Sequence, residues 1–506
     1  MKNTSVITKT LALFLALTVT LAFTGCGDDV TVADGNTVSF YPEPSNIVTP
    51  SSSEPSSVIP TTSTPPVTSP PPVTSTEPFS DNIFDYSNED KLLEYIKKYE
   101  NGKKVHILMW RPFTDYENSV IKDFENSTGV KVLTTVTTEE TYKTKLISLI
   151  SQNNAPDVAM FSSKDFPGSA IRLLEPLNSS LKYGLYDECL EANCWQKTHM
   201  RAYRINNKFF GVTMALSWLC ADMNYVTYYN TEILKKCGVT KMPFEIYGDG
   251  KWNWQTQKEI ITKIADYNIR NGTNYTPYMT DYYDTFMLSA GEDFAGIDMS
   301  ETPYKCVNEL GNTLNNSLVK AWSQINQLYS EKLVENYSSE KVYKFDTVGL
   351  YTGNLYNACK DSGAFDSKQY NYISAVPVAG PSQSSAYNPI IPRAYGTPHK
   401  AKEPDLGIMF IRYLLGFTRT YSSESMGFCN GYLGTVGMRT MNSSLKAIIP
   451  NMGVIDYTKD GNYKNLCNKL VRAENQSIES ILNSNKSTIS APIERINKDF
   501  QSIKFN

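Results

Sequence analysis

Val105-His106-Ile107-Leu108-Met109-Trp110 is a short apolar run, and two more follow it: Val130-Lys131-Val132-Leu133-Thr134-Thr135-Val136 and Pro156-Asp157-Val158-Ala159-Met160-Phe161. Apolar and β-branched runs of this length, bounded by turn residues, are strand signals. Between them the apolar positions recur at helical spacing. Val120, Ile121 and Phe124 share one face of a segment that begins near Tyr116 and stops at Gly129, a residue type that ends helices because it tolerates a left-handed backbone. Tyr142, Leu146, Leu149 and Ile150 share one face of Thr141–Gln152. A further helix is predicted ahead of the first strand, capped by Asn88 and running to about Glu100, with Leu92, Leu93, Ile96 and Tyr99 inward. Strand-helix-strand-helix-strand in this order implies right-handed crossovers and a parallel sheet, an α/β architecture. Such sheets bind ligands at the carboxyl ends of their strands. That rule directs attention to Trp110, Arg111 and the loop after Phe161.

Outward from this nucleus the 506-residue chain divides into three parts. Lys2 and Lys9 are the only charged side chains before Cys26, and Thr10 to Gly25 is mostly Leu, Ala, Val, Phe and Thr. A basic start, a short apolar core and small residues before a cut site form an export signal over residues 1–25; the apolar run is shorter than the roughly 20 residues that span a bilayer. Residues 41–80 hold eleven Pro, ten Ser and seven Thr, and no Lys or Arg occurs from Thr10 to Asp90. Such a segment lacks the apolar side chains that would offset chain entropy. Residues 26–80 are therefore expected to form an extended tether of Pro-rich chain, on the order of 100–150 Å in reach, whose Ser and Thr could carry O-glycans. The remaining residues, 81–506, exceed one ordinary core and point to two lobes.

Composition narrows the function classes. Without residues 1–25 the chain carries 46 basic against 52 acidic residues and shows no basic cluster, which argues against a nucleic-acid partner. Eight cysteines remain besides Cys26; they are scattered and form no CxxC pair, so a zinc site is not expected. Cys189 and Cys194 are near enough in sequence to bridge, or are buried thiols. His106, His199 and His399 stand apart from one another. No metal or cofactor is expected.

Several ordered segments carry a resemblance. Phe23-Thr24-Gly25-Cys26 is similar to the bacterial lipobox, with Phe23 in place of the usual Leu. In that family the Cys thiol is acylated and becomes the first residue, which implies a lipid anchor at Cys26. Farther along stand Trp110, Phe124-Glu125-Asn126-Ser127-Thr128-Gly129-Val130-Lys131-Val132, Ala155-Pro156-Asp157-Val158 and Leu174-Glu175-Pro176-Leu177. They are followed by Asn207-Lys208-Phe209-Phe210-Gly211-Val212, where Thr213 replaces the usual Pro, and by Tyr228-Tyr229-Asn230 with Leu234, Cys237 and Gly238. Trp252-Asn253-Trp254, Val376-Pro377 with Gly380-Pro381, and His399-Lys400 through Phe410 to Leu415 complete the series. Together they resemble the carbohydrate-type extracellular solute-binding proteins of ABC importers, the maltodextrin-binding-like group. The resemblance implies a two-lobed, periplasmic-binding-protein-like clamp, each lobe a mainly parallel sheet flanked by helices, with the chain crossing between lobes more than once. It implies a monomeric protein on the outer face of the cell membrane. Its partners would be a small-molecule solute, a sugar or oligosaccharide first, and an ABC permease in the membrane.

Sugar rings present apolar faces edged by hydroxyls, so a sugar site combines aromatic rings with amides or carboxylates. Trp110 with Arg111 and Asp115 meets that demand, as does Phe161-Ser162-Ser163-Lys164-Asp165, from which Phe161, Ser162 and Asp165 are taken as candidates. Trp218 lies near the expected crossing, Tyr282 and Tyr283 follow a predicted strand, Tyr351 and Asn354 are expected to open a helix, and Tyr432 lies in a late loop. Trp252 and Trp254 are expected to staple a helix, and Asp157 to be structural. Asp281 and Asp284 are spaced as an acid–base pair could be, but no Ser elbow, metal motif or phosphate loop accompanies them. The alternatives are a wall-associated sugar-active enzyme or adhesin module, or the same fold with a peptide, polyamine or anion as ligand. The anchor has a direct check: Cys26→Ala is expected to yield unlipidated protein shed into the medium, and mass spectrometry showing no lipid on the parent would overturn it.

Overall fold

The computed structural model describes residues 82–110, 112–113, 115–168, 170–182, 185–192, 200–213, 225–280, 282–311, 315–354, 371–425, 446–449, 451–455, 462–473 and 475–503. The expected signal, anchor and tether lie outside these residues, as does Cys194. All of the described residues belong to one compact unit, Thr76–Asn506.

The first lobe follows the alternation in the sequence. Helix α1 (Glu89–Tyr99) leads into strand β1 (Lys104–Met109), helix α2 (Asp115–Thr128), strand β2 (Lys131–Val136), helix α3 (Glu139–Ser151) and strand β3 (Ala159–Ser162). Asn88 precedes α1 but does not cap it; its amide instead donates to the Asn82 carbonyl at 2.7 Å. Helix α2 ends at Gly129, with φ +75°, where a Cβ would fall 2.1 Å from Asn101 Oδ1. Helix α3 starts two residues earlier than its apolar face indicates, because Thr138 and Thr141 form a reciprocal capping box. Strands β1 and β2 pair in parallel throughout, and an isolated parallel bridge, Ile107 to Val158, brings the chain of β3 alongside β1. A short strand, β4 (Leu174–Glu175), follows.

The chain then enters a second sheet with β5 (Tyr225–Asn230), helix α4 (Trp254–Asn271), β6 (Thr276–Thr280), helix α5 (Asn316–Ser330), β7 (Val334–Asn336), β8 (Val348–Asn354) and β9 (Ile373–Pro377). The order is β7-β6-β8-β5-β9. Strands β7, β6 and β8 are parallel, while β5 is antiparallel to both β8 and β9. The sheet is thus mixed: β5 enters from the first lobe rather than through a helical crossover within this one, so the right-handed rule for parallel units does not govern its direction. Residues 351–354, expected at the start of a helix, form the end of β8; Thr352 is buried there, its hydroxyl 2.9 Å from Thr227 Oγ1 and accepting from Tyr278 Oη at 2.8 Å. Helix α4 is held as expected. Trp252 Nε1 donates to the Pro377 carbonyl and Trp254 Nε1 to the Ala379 carbonyl, both at 2.8 Å.

Strand β10 (Arg393–Pro398) returns to the first lobe, antiparallel to β3 and β4, and helix α6 (Pro404–Ser425) packs against α2 and β1. The C-terminal helices α7 (Asn462–Arg472), α8 (Ile478–Ser484) and α9 (Lys486–Ser502) add to the core of the second lobe. Helix α9 also reaches the first: Arg172 pairs with Asp499 through two bonds of 2.9 Å.

Ile83 and Phe84 are buried, and the fully buried Arg412 of α6 clamps the entering chain. Its guanidinium donates to the Phe84 carbonyl at 3.0 Å, the Asp85 carbonyl at 2.7 Å and Glu89 Oε2 at 2.9 Å. A chain beginning at Asp81 is therefore expected to match the urea midpoint of one beginning at Cys26. One beginning at Lys91 leaves a buried cation without these partners and is expected to lose about 3–5 kcal/mol. Equal stability of the two shortened chains would remove this clamp from the account.

Candidate functional site

A cleft of about 400 Å³ opens where the carboxyl ends of β1 and β3 face the second sheet. Trp110 follows β1 directly, and Phe161 and Ser162 end β3, so the parallel pairing of these strands brings both ends to one edge. Tyr282 comes from the turn after β6 and Asn354 from the end of β8, so the second sheet closes the other side. Six of the residues singled out in the sequence line this one cleft: Trp110, Phe161, Ser162, Asp165, Tyr282 and Asn354.

Their surroundings differ. Trp110 is half-buried; its ring meets Tyr142 edge-on at 6.0 Å, and the Arg393 guanidinium lies 4.7 Å from its centroid. Tyr142 ties the strand ends together: its hydroxyl donates to the Leu108 carbonyl at 3.3 Å and accepts from Met160 N at 3.0 Å. Burial pushes that phenol well above its ordinary range. Phe161 is mostly core, packed edge-on against Tyr203 at 5.0 Å. Asp165 Oδ2 accepts from Ser162 N at 3.3 Å and Ser162 Oγ at 3.2 Å. Its side chain reaches solvent at the mouth of the cleft, yet protein surrounds it closely enough to raise its carboxyl above the usual range, against the pull of Ser162, Lys143 and Lys164. Tyr282 is half-buried and packs on Tyr225, ring centroids 4.6 Å apart. Tyr228 Oη donates to the Asn354 carbonyl at 3.0 Å.

Other sequence candidates lie elsewhere. Tyr283 is buried beside Tyr282 but turned away, its hydroxyl donating to Asn336 Oδ1 at 2.6 Å. Tyr351 is 1 % exposed and stacked on Tyr228 inside the second lobe, so neither ring lines the cleft. Asp115 is exposed at the start of α2. Arg111, Trp218, Asp281 and Tyr432 lie outside the described residues. Lys143 and Arg393 were not singled out by any motif: Lys143 sits on the polar side of an amphipathic helix, and Arg393 opens a strand whose partner lies more than 200 residues earlier. Among the described residues no group of three or more His, Cys, Asp and Glu stands ready for a metal ion.

A short segment links both sides of the cleft. Gly453 N donates to the Ser163 carbonyl at 3.0 Å, and a Cβ at Gly453 would lie 2.6 Å from the Phe166 carbonyl oxygen. Two residues earlier, Asn451 N donates to Asp293 Oδ2 at 2.8 Å and Asn451 Nδ2 to the Ala295 carbonyl at 3.1 Å. Met452 packs with Tyr282 on the cluster around Tyr225.

A model of the bacterial extracellular solute-binding protein family matches residues 119–419. No curated relative matches the sequence. Among solved structures, the galacto-N-biose/lacto-N-biose I-binding protein of an ABC transporter from Bifidobacterium longum, in complex with lacto-N-biose, is similar with a TM-score of 0.58 and 13 % identity over 78 % of this chain and 97 % of its own. An ABC substrate-binding protein from Listeria monocytogenes, in complex with cycloalternan, gives 0.56 at 14 % identity over 78 % and 99 %. The sugar-binding protein MalE from Xanthomonas citri gives 0.56 at 12 % identity over 79 % and 100 %. At these identities the likeness establishes the two-lobed α/β fold.

The link through Asn451 carries a pH signature. Burial raises the Asp293 carboxyl to about 7, with Asp284 and Glu309 adding to the rise and the Asn451 and Phe294 amides opposing it. An acid whose folded pKa lies above its unfolded value costs stability as pH rises through the interval between them, here from about 4 to about 7. Because part of Asp293 reaches solvent, the cost is on the order of 2 kcal/mol rather than the full shift. Between pH 5 and pH 8 the parent is expected to lose about two-thirds of that stability relative to Asp293→Asn in urea denaturation. Parallel pH curves would show that this carboxylate is charged throughout.

Proposed function

The chain belongs to the bacterial extracellular solute-binding proteins, and we propose that it captures a sugar or oligosaccharide in the cleft between its lobes and hands it to an ABC import permease. Membership of this family makes it a binding protein rather than an enzyme. The observation that carries the sugar reading is the composition of one cavity. Trp110 from one lobe and Tyr282 from the other face a space of about 400 Å³, within the range that holds a small molecule. Ser162, Asp165 and Asn354 supply hydroxyl, carboxylate and amide groups at its rim. Flat rings cover the apolar faces of a pyranose, and short polar groups bond its edges. The sugars named for the similar structures, lacto-N-biose and cycloalternan, favour the same class.

Delivery to a permease fits an extracytoplasmic clamp whose affinity arises from the difference between its open and closed states. We further propose that Cys26 is acylated, that residues 27–80 let a monomeric clamp stand off the membrane, and that Trp110, Phe161, Ser162, Asp165, Tyr282 and Asn354 contact the ligand.

Titration calorimetry across an oligosaccharide panel is expected to find a ligand that binds without turnover, and scattering is expected to show the radius of gyration falling when it binds. Trp110→Ala removes a stacking face worth about 1–3 kcal/mol, roughly a five- to 140-fold loss of affinity. Trp254→Ala, which loses its bond to the Ala379 carbonyl, is expected to lower stability and leave affinity nearly unchanged. A protein that binds no sugar, or that cleaves the one it binds, would sink the reading.

A further inference from the structure

The cleft has a floor as well as a rim. Polar side chains of the rim, Ser162 and Asp165 among them, come from the end of β3 and the loop after it. The floor lies deeper in the first lobe. It is lined by Leu146 of α3, Ala159 at the start of β3, Ala170 of the single helical turn Ala170–Arg172, and Leu173 and Leu174 from the chain that follows. Helix α3 follows β2, which is parallel to β1, so it starts at the edge of the sheet where Trp110 emerges and runs away from that edge. Tyr142 and Leu146 stand one turn apart on one face of it, which sets Leu146 about 6 Å farther down. Ala159 precedes the end of β3 by three residues, a distance of about 10 Å along the strand. The Tyr142 hydroxyl stands between Leu108 and Met160, at the level where rim gives way to floor.

The polar groups of this floor are committed to the protein. Ala170 N donates to the Asp165 carbonyl at 3.2 Å, the Ala170 carbonyl accepts from Leu173 N at 2.9 Å, and the Leu173 carbonyl accepts from His399 N at 2.9 Å. Ala159 and Leu174 are paired with Gly396 and Pro398 of β10. The Tyr142 hydroxyl gives its proton to the Leu108 carbonyl and accepts from Met160 N. A sugar hydroxyl pressed into the floor would therefore leave water without a replacement bond, which costs more than its packing returns. A methyl group carries no such cost and gains by leaving water. Alanine at positions 159 and 170 leaves room that a larger side chain would fill. Resting on the sugar reading above, we propose that the cleft selects a carbohydrate with a methyl-bearing substituent, an acetamido or 6-deoxy sugar, whose methyl group seats on this floor while the ring hydroxyls stay at the rim.

The test uses the full chain from Cys26 and calorimetry with matched sugars. N-acetyllactosamine against lactose and triacetylchitotriose against cellotriose form the acetamido arm; L-fucose against L-galactose and L-rhamnose against L-mannose form the 6-deoxy arm. At least one methyl-bearing member is expected to bind about fivefold or more tightly than its partner, the scale of one or two buried carbons, and the arm in which it falls tells which substituent is taken. Ala159→Val and Ala170→Val, made separately, each fill part of the floor and are expected to remove most of that preference, with the thermal midpoint showing that each variant is folded. Should neither fold, the comparison within each pair on the parent protein decides alone. Equal or weaker binding of every methyl-bearing member, or a preference that survives in both filled variants, would overturn the proposal and leave the sugar reading standing. Failure of every carbohydrate to bind would overturn both.

Discussion

A single buried carboxylate fixes the geometry on which the cleft depends. Asp157 Oδ2 accepts from His106 N at 2.8 Å, and its Oδ1 accepts from Lys402 N at 3.0 Å and Glu403 N at 2.8 Å. Its own amide donates to the His106 carbonyl at 2.7 Å. Hydrogen bonds to an ionised acceptor are shorter and stronger than neutral ones. Here they join three stretches of chain: β1, the approach to β3 and the turn into α6. The packing allows little else: a Cβ at Gly407 would stand 3.1 Å from the Asp157 carbonyl. With the Ile107–Val158 bridge set by this contact, Trp110 and Ser162 emerge at the same edge of the sheet. A slip of one residue would turn every side chain of β3 to the opposite face.

The parts of the fold written locally were legible in the sequence. Strands β1, β2 and β3 and helices α1, α2 and α3 each announce themselves within about a dozen residues, and their boundaries moved by only a few positions. What could not be read is pairing across distance. Strand β9 lies antiparallel to β5 through Ile373 and Asn230, and β10 is antiparallel to β3 through Ala394 and Phe161. Nothing within either strand marks its partner. Residues 351–354 show the same limit. Expected to open a helix, they are instead β-paired on both sides of Tyr351 and Thr352, with β5 and β6.

The candidate site divides along the same line. The rule that ligands gather at the carboxyl ends of parallel strands led to Trp110, Phe161, Ser162 and Asp165, all of which line the cleft. In the second lobe the sequence pointed to neighbourhoods without faces. Tyr282 and Tyr283 are adjacent, and Tyr351 and Asn354 lie on one strand, yet only one member of each pair lines the cavity. Arg393 and Lys143 carried no motif, because long-range pairing and the polar side of a helix place them there.

Aromatic residues make the final distinction. Trp252, Trp254 and Trp110 look alike in sequence, each beside a predicted element in a segment of the same resemblance. A buried indole gains from a partner for its N–H. Trp252 and Trp254 have theirs in the backbone carbonyls of Pro377 and Ala379 and are buried; their polar and apolar surfaces are already occupied by the fold. Tyr351 is committed in the same way between Tyr228 and Tyr337. Trp110 is only half-buried, touched edge-on by Tyr142 and from one side by Arg393. Part of its surface faces the cavity, so a ligand placed there would bury area that folding left in water. That uncommitted area, and not the presence of an aromatic ring, is what a binding protein has to offer a solute, and it is settled only when the whole chain has packed.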